Sequence, residues 1–216
     1  MHLLFDLDGT LTDSRPGIIA SIRHALAENG LPVPNADDLD WCIGPPILES
    51  FRKLVGPEAS ETLFNQTITT YRERYGTLGL YENSVYPDIA ETLAELRADG
   101  HTLHVATSKA ECYARPIVEH FALAGNFISI NGSELDGTRA NKAELIAHIL
   151  QLYRIPSSDA VMIGDREHDM RGAEKNGIPA IGVLWGYGSG RELMSSGATA
   201  TIRTPRLLPE ALAAVR

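Results

Sequence analysis

The stretch Leu3-Leu4-Phe5-Asp6-Leu7-Asp8-Gly9-Thr10 sets two aspartates two residues apart at the end of an apolar run. Side chains at i and i+2 of an extended strand share a face. If extended geometry reaches Asp8, both carboxylates point to one place. Neighbouring carboxylates repel, so one is driven toward its protonated form unless a cation lies between them. The pair then suits an acid beside a nucleophile, or part of a divalent metal site. Asp, Gly and Thr are also turn residues, and a lone Asp-x-Asp-Gly is equally compatible with a surface loop or a fragment of a calcium site.

Three later stretches bear on the choice. Leu103 to Lys109 ends an apolar run on Thr107-Ser108-Lys109. A hydroxyl and free amides at a strand-to-helix junction suit a phosphate oxygen. Lys142 falls near a predicted helix start, where the helix dipole disfavours a cation; a solvated lysine is the plain alternative. Val161-Met162-Ile163-Gly164-Asp165 ends another apolar run on an acid, with Asp169 four residues on. A sheet edge that gathered Asp6, Asp8, Asp165 and Asp169 would be strongly self-repelling without a cation. Donors that are all oxygen point to magnesium.

The elements that must position these residues follow from periodicity. Short apolar runs predict strands at 3–7, 102–106, 127–130, 160–163 and 180–184. Helical patterns lie between the later ones, at 88–98, 110–121, 140–152 and 169–176. Alternating strand and helix predicts an α/β fold, a parallel sheet flanked by helices, with ligands bound beyond the carboxyl ends of the strands. Residues 15–81 break the alternation. Ile18, Ile19, Ile22 and Leu26 make one helical face, Ile47, Leu48, Phe51 and Leu54 a second, and Leu63, Ile68, Tyr71 and Tyr75 a third. This predicts a small helical domain at 15–81 inserted into a core of 1–14 and 82–216. Because it leaves the core just after Asp8, its natural role is a lid.

The 216 residues are 44% apolar and 22% charged, with a formal net charge of −9, which is the profile of a globular protein. An acidic surface disfavours sequence-independent contact with nucleic acid. An anionic ligand then needs a locally positive site or a metal. Cys42 and Cys112 have no metal-like spacing and read as reduced thiols. No membrane-spanning run and no basic leader stand out, so a cytoplasmic protein is expected.

Asp6-Leu7-Asp8-Gly9-Thr10, the strand-ending Thr107, Lys142, and Gly164-Asp165 with Asp169, in this order, resemble the four motifs of the haloacid dehalogenase superfamily. The resemblance spans the chain, and a helical cap between the first two motifs is the family's pattern. Gly44-Pro45-Pro46, the segment 79–89 and the segment 132–146 resemble its phosphoglycolate phosphatase branch, and within it bacterial proteins described as 5′-nucleotidases. The resemblance implies a Rossmann-like core and a two-step hydrolysis of a small phosphorylated metabolite, a nucleoside 5′-monophosphate or 2-phosphoglycolate. Asp6 is implied as nucleophile and Asp8 as acid, then base. Magnesium is implied to be held by Asp6, the Asp8 carbonyl and Asp165, with Asp169 in support. Lys142, the Thr107 hydroxyl and the amides of Gly9 and Ser108 are implied to offset phosphoryl charge, with Gly9 small so that backbone and phosphate can meet.

A dehalogenase would give Asp8 no task, because a departing halide needs no proton. A phosphomutase uses the same core and stays open. A phospho-receiver or phospholigand-binding module also combines clustered aspartates, a hydroxyl and a lysine, but the helical insertion weighs against it. No nucleic acid or membrane partner is expected, and monomer and homodimer both stay open. In the cap, Arg23, Arg52 and Lys53 are candidate contacts for the leaving group, Arg52 foremost, each with a solvated helix charge as the alternative. Trp41 and Phe51 read as cap core, His104 as a core histidine, Glu167 and His168 as surface residues, and Gly186 to Gly190 as a flexible connection.

Overall fold

A computed structural model describes residues 1–215. Its centre is a six-stranded sheet of β1 (His2–Phe5), β4 (Thr102–Ala110), β5 (Ser129–Ser133), β6 (Ala160–Gly164), β7 (Ala180–Val183) and β8 (Ala200–Ile202), in the order β5-β4-β1-β6-β7-β8 with all neighbours parallel. Strands buried on both faces read as nearly continuous apolar runs, and Leu3, Leu4 and Phe5 of β1 are fully buried. The connecting helices are α4 (Ile89–Ala98), α5 (Glu111–His120), α6 (Lys142–Leu152), α7 (Glu167–Lys175), α8 (Gly190–Ser195) and α9 (Leu208–Ala214). The architecture is the expected α/β one.

Register places the site. Phe5 pairs with Val105 on one side and Ile163 on the other. Asp6, the residue that follows, therefore comes off the end of β1 level with Ala106 of β4 and Gly164 of β6. Successive strands diverge at this point, β4 to one side of β1 and β6 to the other, which opens a crevice at the carboxyl ends.

Between β1 and α4 the chain forms α1 (Arg15–Glu28), α2 (Ile47–Val55) and α3 (Glu61–Arg74), with a single π-helical turn at Tyr75–Gly79. Two short strands, β2 (Thr12–Asp13) and β3 (Ser84–Val85), pair antiparallel where the chain leaves and re-enters the sheet region. All four apolar residues predicted for the first helical face are buried in α1.

Two local expectations change, and one strand is added to those expected. β4 runs to Ala110, so Thr107 to Lys109 lie within a strand and not at its junction with a helix. The ladder with β5 breaks after Ala106 and resumes at Ala110, which hides that extension from a hydropathy reading. β5 lies at 129–133 and not 127–130, because Ile128 is 61% exposed. β8 is a three-residue edge strand too short to show a period.

Candidate active site

At the ends of β1 and β6, and in the first turn of α7, Asp6, Asp165 and Asp169 are 3%, 0% and 0% exposed. One oxygen from each lies within 4.8 Å of the others. Lys142, 4% exposed, enters this cluster from the first residue of α6. Its ammonium lies 2.8 Å from Asp169 Oδ1 and 3.1 Å from Asp6 Oδ1, and donates to the Ala106 carbonyl at 2.8 Å. An ammonium has three protons, and three acceptors face it. Those contacts outweigh the unfavourable helix dipole, while the Asn141 side chain caps the amides of Ala143 and Glu144. Lys142 is therefore not a solvated surface charge.

The electrostatics call for further positive charge. Burial pushes Asp6 up to about 6, against the pull of Lys142, with Asp169 and Asp8 pushing the same way as burial. Burial, then Asp169 and Asp6, push Asp165 well above the carboxylate range. Burial opposes the charge on Lys142, yet Asp169 and Asp6 hold it above the ordinary lysine value. Three carboxylates face one ammonium in a space almost closed to water. A donor set of carboxylate oxygens fits a hard divalent cation, and binding one would relieve the repulsion. The fit is made by Asp6, Asp165 and Asp169; the Asp8 side chain is turned elsewhere.

Asp8 accepts from Lys109 Nζ at 2.6 Å, and Lys109 also donates to the Tyr75 hydroxyl. Thr107 is buried, and its Oγ1 accepts the Lys109 amide at 3.3 Å. The buried Ser108 hydroxyl has no partner among the described residues. Asp6, Asp8, Thr107, Ser108 and Lys109 line one side of a ≈ 240 Å³ cavity. Ile18, Pro45, Ile47, Leu48, Arg72 and Tyr75 from the helical segment line the other. Cys42 also faces it, but burial pushes its thiol up to about 12, so it is a poor nucleophile.

Gly9 has a different reason from the expected one. Its φ is +81°, its amide donates to the Thr12 carbonyl at 2.8 Å, and a Cβ would lie 2.2 Å from Asp165 Oδ2. The missing side chain makes room for Asp165, and the amide is already engaged. The 186–190 segment is likewise no flexible connection. Tyr187 N donates to Asp165 Oδ2 at 2.8 Å, and the Tyr187 hydroxyl donates to Asp13 at 2.8 Å. A Cβ on Gly186 would meet the Gly9 carbonyl at 2.3 Å, and one on Gly188 the Asp165 carbonyl at 2.0 Å. This loop buttresses the acidic cluster.

Arg52 is corrected as a ligand contact. It is exposed, bidentate to Glu61 at 2.6 and 2.9 Å, stacked on Phe64, and absent from the cavity wall. Arg23 and Lys53 are exposed and also off that wall. Trp41 is 38% exposed beneath Lys53, not cap core, whereas Phe51 is fully buried. His104 is a core histidine bonded to His2 and Ser129. His168 and Glu167 are half-buried in the first turn of α7, with Glu167 paired to Arg171. Sequence reasoning passed over Arg72, Tyr75 and Tyr187. Only Tyr75 carried a signal, as part of an apolar helical face.

A parallel sheet with a buried acidic cluster and lysine at its switch point, facing an inserted helical segment, defines an α/β protein with an enzyme-like site at the carboxyl ends of its strands. The haloacid dehalogenase-like hydrolase family matches residues 3–183. The chain belongs to that family and is an enzyme of its phosphatase kind. It is 47% identical to a 5′-nucleotidase of Pseudomonas aeruginosa over 89% of this chain and 86% of that one. It is 44% identical to the tyrosine-protein kinase PtkA of Mycobacterium tuberculosis over 86% of this chain, but spans only 62% of that protein. A phosphoglycolate phosphatase of Agrobacterium fabrum is 34% identical over 85% of this chain and 80% of its own. The crystal structure of a predicted phosphatase from Clostridium acetobutylicum superposes with a TM-score of 0.92 at 39% identity, covering 99% and 98% of the two chains. Among the described residues no helix is long and apolar enough to cross a membrane.

Proposed function

We propose that the protein is a magnesium-dependent phosphomonoesterase that favours nucleoside 5′-monophosphates over 2-phosphoglycolate. The observation that carries the reading is the buried cluster of Asp6, Asp165, Asp169 and Lys142, in which Asp6 reaches the wall of a cavity that Asp8 also lines. Residues 15–81 act as the cap. Asp6 attacks phosphorus as the bond to the leaving oxygen breaks, and Asp8 delivers a proton to that oxygen. Water then attacks the aspartyl phosphate, Asp8 takes its proton, and phosphate leaves with Asp6 regenerated. Lys142 orients Asp6, and the hydroxyls of Thr107 and Ser108 face the space for the phosphoryl oxygens. Positive charge for those oxygens is supplied by magnesium when it is bound by Asp6, Asp165, Asp169 and the Asp8 carbonyl.

Support for nucleotides comes from the cap wall. Ile18, Pro45, Ile47 and Leu48 give the cavity apolar surface that a two-carbon glycolate would leave uncovered, and the P. aeruginosa relative carries the name 5′-nucleotidase. Phosphate release from nucleoside 5′-monophosphates, 2-phosphoglycolate and sugar phosphates, with magnesium and with excess chelator, tests the proposal. Magnesium-dependent release, highest from nucleotides, is expected. Release unaffected by chelation would contradict it. So would isomerisation of a sugar phosphate without release, or transfer from ATP to a tyrosine peptide as the main activity.

A further inference from the structure

Asp8 is held by a contact that no part of the two-step reaction requires. Its Oδ1 lies 2.6 Å from Lys109 Nζ, with side chains 10% and 6% exposed. Lys109 follows Thr107 by two residues in β4, and both line the cavity. The same ammonium reaches the Tyr75 hydroxyl and lies 4.9 Å from the Tyr75 ring centroid. Tyr75 belongs to the helical segment, so three separate parts of the chain meet at one ammonium.

Tyr75 is placed by an unusual backbone. It opens the π-helical turn after α3, and Leu80 N closes that turn on the Tyr75 carbonyl at 2.9 Å. Such turns concentrate at functional sites. The turn packs on α1 at a pair of glycines. A Cβ on Gly17 would lie 2.0 Å from the Gly79 carbonyl, and one on Gly79 would lie 2.6 Å from the Tyr75 ring. The ring stacks on Tyr71 with centroids 5.4 Å apart and meets Tyr113 edge-on at 5.5 Å. Tyr75 is 1% exposed and has no freedom to move alone.

We propose that Lys109, tethered by Tyr75, is the positioning residue for Asp8. It holds the Asp8 carboxyl on the cap side of the cavity, apart from Asp6, Asp165 and Asp169, where the leaving group of the substrate lies. Lys109 occupies Oδ1, which leaves Oδ2 to carry the proton toward the leaving oxygen. Because Tyr75 is a cap residue, the acid is correctly placed only when the cap is seated. This inference rests on the proposed role of Asp8.

The test is the ratio of kcat/KM for a nucleoside 5′-monophosphate, whose alkoxide leaves poorly, to kcat/KM for p-nitrophenyl phosphate. Only the former needs an acid, and kcat/KM reports the steps up to departure of the leaving group. Lys109→Met should lower the ratio roughly tenfold, as expected for misplacing an acid that supplies several powers of ten. Lys109→Arg should recover part of the loss, and Tyr75→Phe, which keeps the ring, should lower the ratio about threefold, a smaller share of the same effect. Should Lys109→Met fail to fold, Tyr75→Phe decides. An unchanged ratio in the folded variants, with both substrates falling together, overturns the positioning role. Asp8→Asn separates the two readings. If its ratio falls and that of Lys109→Met does not, only the inference fails; if its own ratio is unchanged, the acid role of Asp8 fails and the inference with it.

Discussion

Lys142 shows how much one side chain does in this fold. Its ammonium meets Asp6, Asp169 and the Ala106 carbonyl, and it is the sole cation in contact with the three-carboxylate cluster among the described residues. Removing one partner of a buried charge cluster leaves the others uncompensated, at a cost of about 3–5 kcal/mol. Lys142→Met should therefore lower the unfolding free energy by about that amount in urea titrations and abolish phosphate release. Lys142→Arg should not restore activity, because a planar guanidinium cannot reproduce the three converging contacts of an ammonium. A Lys142→Met variant as stable as the wild type would show that the cluster is not held by this lysine.

At the scale of elements, the 186–190 loop is where steric fit serves the site. Gly186→Ala would push a methyl group against the Gly9 carbonyl and Asp165, both under 2.5 Å from a Cβ at that position. The expected cost is about 1–3 kcal/mol, typical of overpacking. Magnesium affinity, read by calorimetry, should fall with it because Asp165 is displaced. A variant with unaltered melting temperature and affinity would return the loop to the role of a simple connection. The loop also explains what was legible beforehand. Asp6, Thr107, Lys142, Asp165 and Asp169 stand at the ends of apolar runs or at a helix start, so local pattern located them. The glycines at 186 and 188 serve residues far away in sequence, and Gly-Tyr-Gly-Ser-Gly looks the same whether it is loose or jammed against a carboxylate. Arg72 reaches the cavity because α3 packs on α1 and α2, a tertiary fact with no local trace, whereas Arg52, on an equally basic helix, points to solvent. β8 lacked the length for any period to show.

At the scale of the whole molecule, the two ends of the sheet have opposite charge requirements. The carboxyl end gathers acids, while the other end buries His104 between His2 and Ser129. Burial, then the neighbouring His2, push His104 down to about 4 from 6.5. The unfolded chain therefore takes up a proton at this residue below about pH 6.5, whereas the folded chain resists until about pH 4. The stability from a neutral His104 is complete above the unfolded value and is lost as pH falls through that window. The total is on the order of 3 kcal/mol. Urea unfolding from pH 7 to 4 should show this decline in the wild type and a shallower one in His104→Leu, whatever the offset between them. Parallel curves would mean that His104 titrates alike in both states.

The site and the sheet converge on Asp6, which the register of β1 between β4 and β6 delivers to the edge beside Asp165 and Lys142. Covalent trapping tests its role most directly. Enzyme turning over a nucleoside 5′-monophosphate with magnesium is quenched into borohydride, which reduces an aspartyl phosphate to homoserine, and the peptides are weighed by mass spectrometry. Homoserine at position 6, dependent on both substrate and magnesium, is the result expected. An unmodified Asp6 in enzyme that is demonstrably turning over, or a label on Asp8 or Asp165 instead, would contradict the account.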